Sequence, residues 1–181
     1  MLELTITFPE AYDEVKEEFI PPRPPQTLKL EHSLVSLSKW ESKWCKPYMS
    51  KEPKTTEEVI DYFRCMTLTQ NVDPNVYYFL TDDHITQITE YIESPMTATR
   101  IYDTKKGKIN KEQVTSELIY YWMISLNIPW ECQKWHINRL LTLIKVCSIK
   151  NAPPKKRSKQ ELRASYAALN AARRKQLNTK G

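Results

Sequence analysis

Residues 27–44 read TLKLEHSLVSLSKWESKW, and the hydrophobic period changes within this stretch. Up to Glu31 the apolar residues alternate with polar ones, which predicts a half-buried strand over residues 27–31. Beyond Ser33, a good N-cap, they recur at helical spacing. The apolar positions of this predicted helix are Leu34, Leu37, Trp40 and Trp44. The stretch therefore predicts a strand that leads directly into a helix.

A second strand is predicted at the start of the chain. Leu2, Leu4, Ile6 and Phe8 alternate with polar residues, and Pro9 ends the pattern. The prolines of residues 21–25 favour an extended loop and cannot continue a helix. We therefore expect residues 1–31 to form a small antiparallel β-ribbon with a proline-rich loop. Because a ribbon alone is marginally stable, it should pack on the helices.

Residues 32–150 predict a bundle of about five or six helices. Thr55 and Glu58 have capping-box spacing, and Asp73-Pro74 and Thr81-Asp82 are further helix-start signals. Asn110 with Gln113 predicts the start of a long helix, and Pro129 the start of the most apolar one, which ends near Lys150. Residues 95–109, which precede Asn110, predict a loop or hairpin. The expected fold is mainly α, an α-rich α+β domain, in keeping with the presence of only two glycines.

The basic residues concentrate in a C-terminal tail, residues 151–181, which holds nine Lys/Arg and one Glu. Three interpretations stay open: a solvated tail, a basic helix that orders on a protein partner, or a nucleic-acid contact. The third is the least favoured, because the body is mildly acidic and no aromatic residues are interleaved with the basic run. The candidate basic residues are Lys155, Lys156, Arg157, Lys159, Arg163, Arg173, Arg174 and Lys175.

The sequence predicts no catalytic site, metal site or cofactor. The three histidines have neither HExxH nor HxH spacing and are expected to be isolated surface or packed residues. The four cysteines form no CxxC pair and are expected to be buried, reduced thiols. No run of apolar residues approaches the ~18 needed to span a membrane, and no secretory signal is visible. An enzyme is therefore the least expected class.

Aromatic residues are the candidates for partner binding. Their ordinary role would be to fill the core, but Trp and Tyr are also favoured anchors in protein interfaces. Trp40 and Trp44 share a helical face, and the other aromatic residues crowd two successive predicted helices. The candidate set is Trp40, Trp44, Tyr121, Trp122, Trp130 and Trp135.

Two stretches resemble the tail assembly chaperones of long-tailed bacteriophages. One is residues 30–44, LEHSLVSLSKWESKW, followed by residues 61–67, DYFRCMT; the other is residues 168–177, ALNAARRKQL. The resemblance implies a non-enzymatic protein of the host cytoplasm that keeps the long helical tape measure protein soluble during tail assembly. Such proteins are often made in two forms by a ribosomal frameshift, and a basic C-terminal extension fits that scheme.

We hypothesise that Trp40, Trp44 and their neighbours form a groove for the tape measure protein, with the basic tail attracting acidic partner surface. Self-association is a further possibility. Two alternatives remain: a virion component, such as a head–tail adaptor or tail protein, and a nucleic-acid-binding regulator that uses the basic tail.

Overall fold

A computed structural model describes residues 1–13, 18–20, 23–101, 113–152 and 159–178. The chain divides into two compact units, Met1–Ser148 and Ile149–Gly181. The first unit contains the strands and most of the helices, and the second is dominated by one long helix.

Four short strands precede the helices: β1 (Leu2–Ile6), β2 (Ala11–Asp13), β3 (Glu18–Ile20) and β4 (Gln26–Leu30). Strand β1 pairs with β4 in antiparallel register, with Leu4 opposite Leu28. Leu4 and Ile6 of β1 and Leu28 and Leu30 of β4 are buried, while Glu3 and Lys29 form an exposed ion pair of 3.2 Å. The predicted ribbon is confirmed. Its connection contains a second antiparallel pair, β2 with β3, which the sequence did not predict.

Six α-helices and two 3₁₀ helices follow in the described residues. They are α1 (Leu34–Trp44), α2 (Thr56–Met66), a first 3₁₀ helix (Pro74–Phe79), α3 (Asp82–Glu93), α4 (Ser116–Ser125), a second 3₁₀ helix (Trp130–Lys134), α5 (Ile137–Asn151) and α6 (Lys159–Leu177). The fold is mainly helical with a small antiparallel sheet, so the predicted α-rich α+β class is confirmed.

The helix starts follow local capping chemistry. Ser33, Thr55 and Thr81 each accept a hydrogen bond from a backbone N–H in the first turn and complete a capping box. Asp73 caps the first 3₁₀ helix, and Pro74 suits its first position because proline has no backbone N–H that would need an acceptor. All four starts confirm the sequence prediction.

Two predicted helix starts were wrong. Helix α4 begins at Ser116 with Thr115 as its N-cap; Asn110 lies outside the described residues. Pro129 opens only a five-residue 3₁₀ helix, and α5 begins at Ile137. The chain is extended between these helices because His136 forms a β-bridge with Ser33, and Ile137 N–H donates to the His32 carbonyl at 2.7 Å. Residues 102–109 of the predicted loop or hairpin also lie outside the described residues.

Helix α1 lies at the centre of the core. Leu34, Leu37 and Trp40 of this helix are buried, and the helix packs against α2, α4 and the second 3₁₀ helix. Each such side chain contributes about 1.5–3 kcal/mol through burial. The ribbon is tied to the same core because Leu68 N–H donates to the Lys29 carbonyl at 2.8 Å and Glu31 N–H to the Met66 carbonyl at 2.9 Å.

Candidate partner-binding surfaces

Trp40 is a core residue and does not line a partner groove. Its side chain is 1% exposed, and its Nε1 donates to the Glu58 carbonyl of α2 at 2.8 Å. Its ring also packs edge-on against Tyr48, with centroids 5.2 Å apart. The hypothesis that Trp40 lines an open groove is therefore wrong: the spacing that places it on one face of α1 is the spacing of the buried face.

Trp44 lies at the edge of the same core. It is half-buried, and its Nε1 donates to Asp61 Oδ2 at 2.9 Å, while Lys43 forms an ion pair with the other carboxylate oxygen. Burial raises the pKa of Asp61, but the hydrogen bonds from Lys43 and Trp44 outweigh it and hold the pKa below its usual value. Trp44 thus serves to join α1 to α2.

Helix α4 and the second 3₁₀ helix expose several large apolar side chains. Tyr121 and Ile124 are 63% and 66% exposed and, three residues apart, share one face of α4. Trp130 is 52% exposed and stacks on Tyr120 with ring centroids 5.1 Å apart and an interplanar angle of 25°. We call Tyr120, Tyr121, Ile124 and Trp130 the aromatic surface. Trp122, on another side of α4, is half-buried against the core.

The aromatic surface is supported by buried residues of α4 and the second 3₁₀ helix. Ile119 and Met123 of α4 are fully buried, and Cys132 of the second 3₁₀ helix is buried beside them in the core. The Tyr120 hydroxyl donates to Gln133 Oε1 at 3.1 Å, which fixes the ring on which Trp130 stacks. Helix α4 is therefore apolar on nearly all sides although one side faces solvent, a combination typical of a contact surface.

A groove runs along the outer side of α5, and we call it the α5 groove. It has a volume of about 290 Å³ and is lined by Thr97, Thr99, Trp135, Arg139, Thr142, Leu143 and Val146. The Arg139 guanidinium lies over the Trp135 ring, 4.0 Å from its centroid. Of the two roles considered for the aromatic residues, core packing and partner contact, the position of Trp135 beside an open groove allows the second. Arg139 was not among the candidate residues in the sequence.

Helix α6, in the second unit, is a basic amphipathic helix. Leu162, Tyr166 and Leu169 follow i, i+4, i+7 spacing on one face and are all exposed. The predicted basic residues Arg163, Arg173, Arg174 and Lys175 lie on this helix and are exposed as well. Lys159 is its first residue, and Lys155, Lys156 and Arg157 lie outside the described residues.

The structure brings together two histidines that the sequence placed apart. The rings of His32 and His136 are 5.1 Å from centroid to centroid, and both side chains are buried. His32 Nδ1 is hydrogen-bonded to the Tyr62 hydroxyl at 2.5 Å, and His136 Nε2 to the Tyr91 carbonyl at 2.9 Å. The pair was missed because its two residues are roughly a hundred positions apart in sequence, and no local pattern joins them.

Burial sets the charge state of this pair. Desolvation, aided by His136, lowers the pKa of His32 to about 3, and desolvation lowers the pKa of His136 as well. The hydrogen bond to Tyr91 and the charge of Glu31 only partly oppose the shift of His136. Both rings are therefore neutral near pH 7 and act as packed, hydrogen-bonded core residues.

The four cysteines form no disulfide with one another, and they are not uniformly buried as expected. Cys132 is buried, Cys65 and Cys147 are half-buried, and Cys45 is exposed because it ends α1 in a left-handed conformation with φ of 51°. Within the described ranges, no three His, Cys, Asp or Glu side chains are grouped closely enough to hold a metal ion. Nor does any helix in that part of the chain have the length and apolar character needed to cross a membrane.

The described part of the chain thus offers three candidate contact regions: the aromatic surface, the α5 groove and helix α6. Comparison with protein-family models, curated proteins and solved structures finds no match for this chain.

Proposed function

We propose that this protein is a tail assembly chaperone of a long-tailed bacteriophage, acting without catalysis in the host cytoplasm. In this role it binds the tape measure protein and keeps it soluble until tail-tube subunits cover it. The proposal combines the resemblance of residues 30–44, 61–67 and 168–177 with the contact regions described above. The aromatic surface is the observation that carries it.

The aromatic surface has the properties of a binding site for an apolar protein segment. Tyr121, Ile124 and Trp130 together expose a large apolar area, and each is more than half exposed. Burying such side chains against a partner contributes about 25 cal/mol per Å² of apolar area. The Tyr120–Trp130 stack is already ordered, so little side-chain entropy is lost when a partner binds.

The tape measure protein would supply the complementary feature. A long helical protein that awaits its tube presents amphipathic helices whose apolar face needs temporary cover. Such a face binds aromatic surfaces through residues spaced at i, i+3 or i+4 and i+7. This mode requires a flat or shallow apolar area and no reactive group, which agrees with the exposed side of α4.

Helix α6 would add electrostatic attraction. Its exposed Arg163, Arg173, Arg174 and Lys175 raise the rate at which an acidic partner is encountered, an effect that weakens as salt screens the charges. The α6 stripe of Leu162, Tyr166 and Leu169 can then bury apolar area on the same partner. We expect charge-reversing substitutions in α6 to slow association more than they speed dissociation.

Co-expression with the tape measure protein of the same phage tests the proposal. The variant Tyr121→Ser/Ile124→Ser/Trp130→Ser removes the exposed apolar groups, and Tyr78→Ser, which is 66% exposed elsewhere, is the matched control. We expect the triple variant to fold but to leave the tape measure protein in the pellet, and the control to keep it soluble. Full solubility with the folded triple variant would refute the role of this surface.

Mass spectrometry of purified virions separates the chaperone from the alternative of a virion component. A chaperone is released before the particle is complete, so its peptides should be absent from virions that contain the tape measure protein. Stoichiometric amounts of this chain in the particle would instead identify it as a structural component.

A further inference from the structure

The α5 groove shares no lining residue with the aromatic surface. Trp135, Arg139, Thr142 and Val146 recur along one side of the chain that enters and forms α5, so the groove follows the helix axis. Thr97 and Thr99, from the segment after α3, also line the groove. Among the described residues, the lining combines apolar side chains, three threonine hydroxyl groups and one cation, Arg139.

Arg139 is the group in this groove that selects a ligand. Its guanidinium is exposed and stacked on Trp135, and among the described residues it forms no ion pair with a carboxylate. Stacking holds the planar group in one orientation, so it is ready to donate two parallel hydrogen bonds to a carboxylate.

The size of the groove limits what can enter it. A volume of about 290 Å³ lies at the lower end of the ~300–1,000 Å³ range of ligand sites and fits a few side chains. Leu143 and Val146 offer apolar contact about one and two helical turns beyond Arg139. A nucleic acid would require several cations along the groove, whereas Arg139 is the one cation among the described lining residues. The groove therefore suits a peptide better than a nucleic acid.

We propose that the α5 groove binds a short acidic–apolar peptide segment of a protein partner, with an Asp or Glu carboxylate on Arg139 and a Leu-sized side chain against Leu143 and Val146. The inference rests on the proposed function only in taking the ligand to be protein. It assigns a second site and a sequence preference that the aromatic surface does not supply.

Peptide retention on the full-length protein tests this site. The probe is a pool of synthetic octapeptides made from Asp, Glu, Leu, Ile, Val and Ser, and the matched pool replaces Asp and Glu with Asn and Gln. Immobilised protein is incubated with each pool, and retained peptides are quantified by mass spectrometry. We expect the acidic pool to be retained at least about tenfold more than the neutral pool.

Three variants separate the groove from the general positive charge of the chain. Arg139→Gln should lower retention about tenfold, while Lys39→Gln, which removes an exposed charge that does not line the groove, should leave it unchanged. Thr99→Trp fills the groove without changing charge and should also abolish retention. Equal retention of both pools, or wild-type retention by folded Arg139→Gln or Thr99→Trp, would overturn the proposal, whatever the result with the tape measure protein.

Discussion

Lowering the pH from 7 to 5 is expected to destabilise the first unit through its buried histidine pair. His32 is enclosed by His136 at the start of α5, Tyr62 of α2 and Tyr48 after α1. The charged groups nearest to the pair are Glu31 and the Met1 amino group, which form a 3.1 Å ion pair with each other. Protonating His32 would place a positive charge in this enclosed site, 5.1 Å from a second imidazole.

The size of the effect follows from the difference between folded and unfolded pKa values. An unfolded histidine titrates near 6.5, whereas the pKa of His32 in the fold is about 3. Between these values the unfolded chain binds more protons, so stability is present above pH 6.5 and is lost as the pH falls toward 3. Integrated from pH 7 to 5, His32 alone lowers the free energy of unfolding by about 2 kcal/mol. His136, whose pKa is also lowered, acts in the same direction.

Urea unfolding followed by circular dichroism at pH 7 and pH 5 measures this loss. In this window Glu58 and Asp61 remain ionised in the fold, since their pKa values are lowered from 4.5 and 3.8. His32→Gln should remove most of the pH dependence, even if it also lowers stability at pH 7. An equal loss between pH 7 and 5 in wild type and in His32→Gln would refute the reasoning.

Two further substitutions test how the core is held. Trp40→Ala should lower the free energy of unfolding by about 3–5 kcal/mol, because it leaves a large cavity in the core. Trp130→Ala, at an exposed position, should lower it by less than about 1 kcal/mol. Urea unfolding of both variants measures the two losses, and equal losses would contradict the assignment of Trp40 to the core. Glu41→Ala should cost about 2–4 kcal/mol, because the carboxylate accepts from Tyr48 N–H at 2.8 Å and Ser116 N–H at 2.7 Å and its loss leaves both buried donors unpaired. Thermal unfolding measures this loss, and a Tm equal to that of wild type would disprove it.

The parts of the fold that the sequence predicted are those set by neighbours along the chain. Alternating leucines in β1 and β4 fix which face of the ribbon is buried, and a capping box needs only residues three positions apart. Ser33, Thr55 and Thr81 were therefore found correctly. The start of α5 was missed because residues 32–33 pair with the backbone before it, a contact that no local pattern announces.

The candidate site was predicted less well, because exposure depends on packing between distant elements. Trp40 and Trp130 are the same residue type on helical segments, yet α2 covers the first, whereas the second is 52% exposed. Arg139 gave no sequence signal, since a single arginine on a helix is ordinary until Trp135 is seen beneath it. Glu41 likewise looks like a surface residue of α1 until Ser116 and Tyr48 are placed against its two oxygens.

The seam between residues 32–33 and 136–137 has a consequence for synthesis on the ribosome. Its two halves are roughly a hundred residues apart in sequence, and Leu34, Ile137 and Leu140 are all fully buried around it. A nascent chain that has emerged only as far as α3 thus exposes apolar side chains whose cover has not yet been translated. The ribbon and first helices cannot complete their core until α5 has been translated, so the first unit folds late. Slow elongation beyond α3 would therefore prolong the period in which the chain is prone to aggregate.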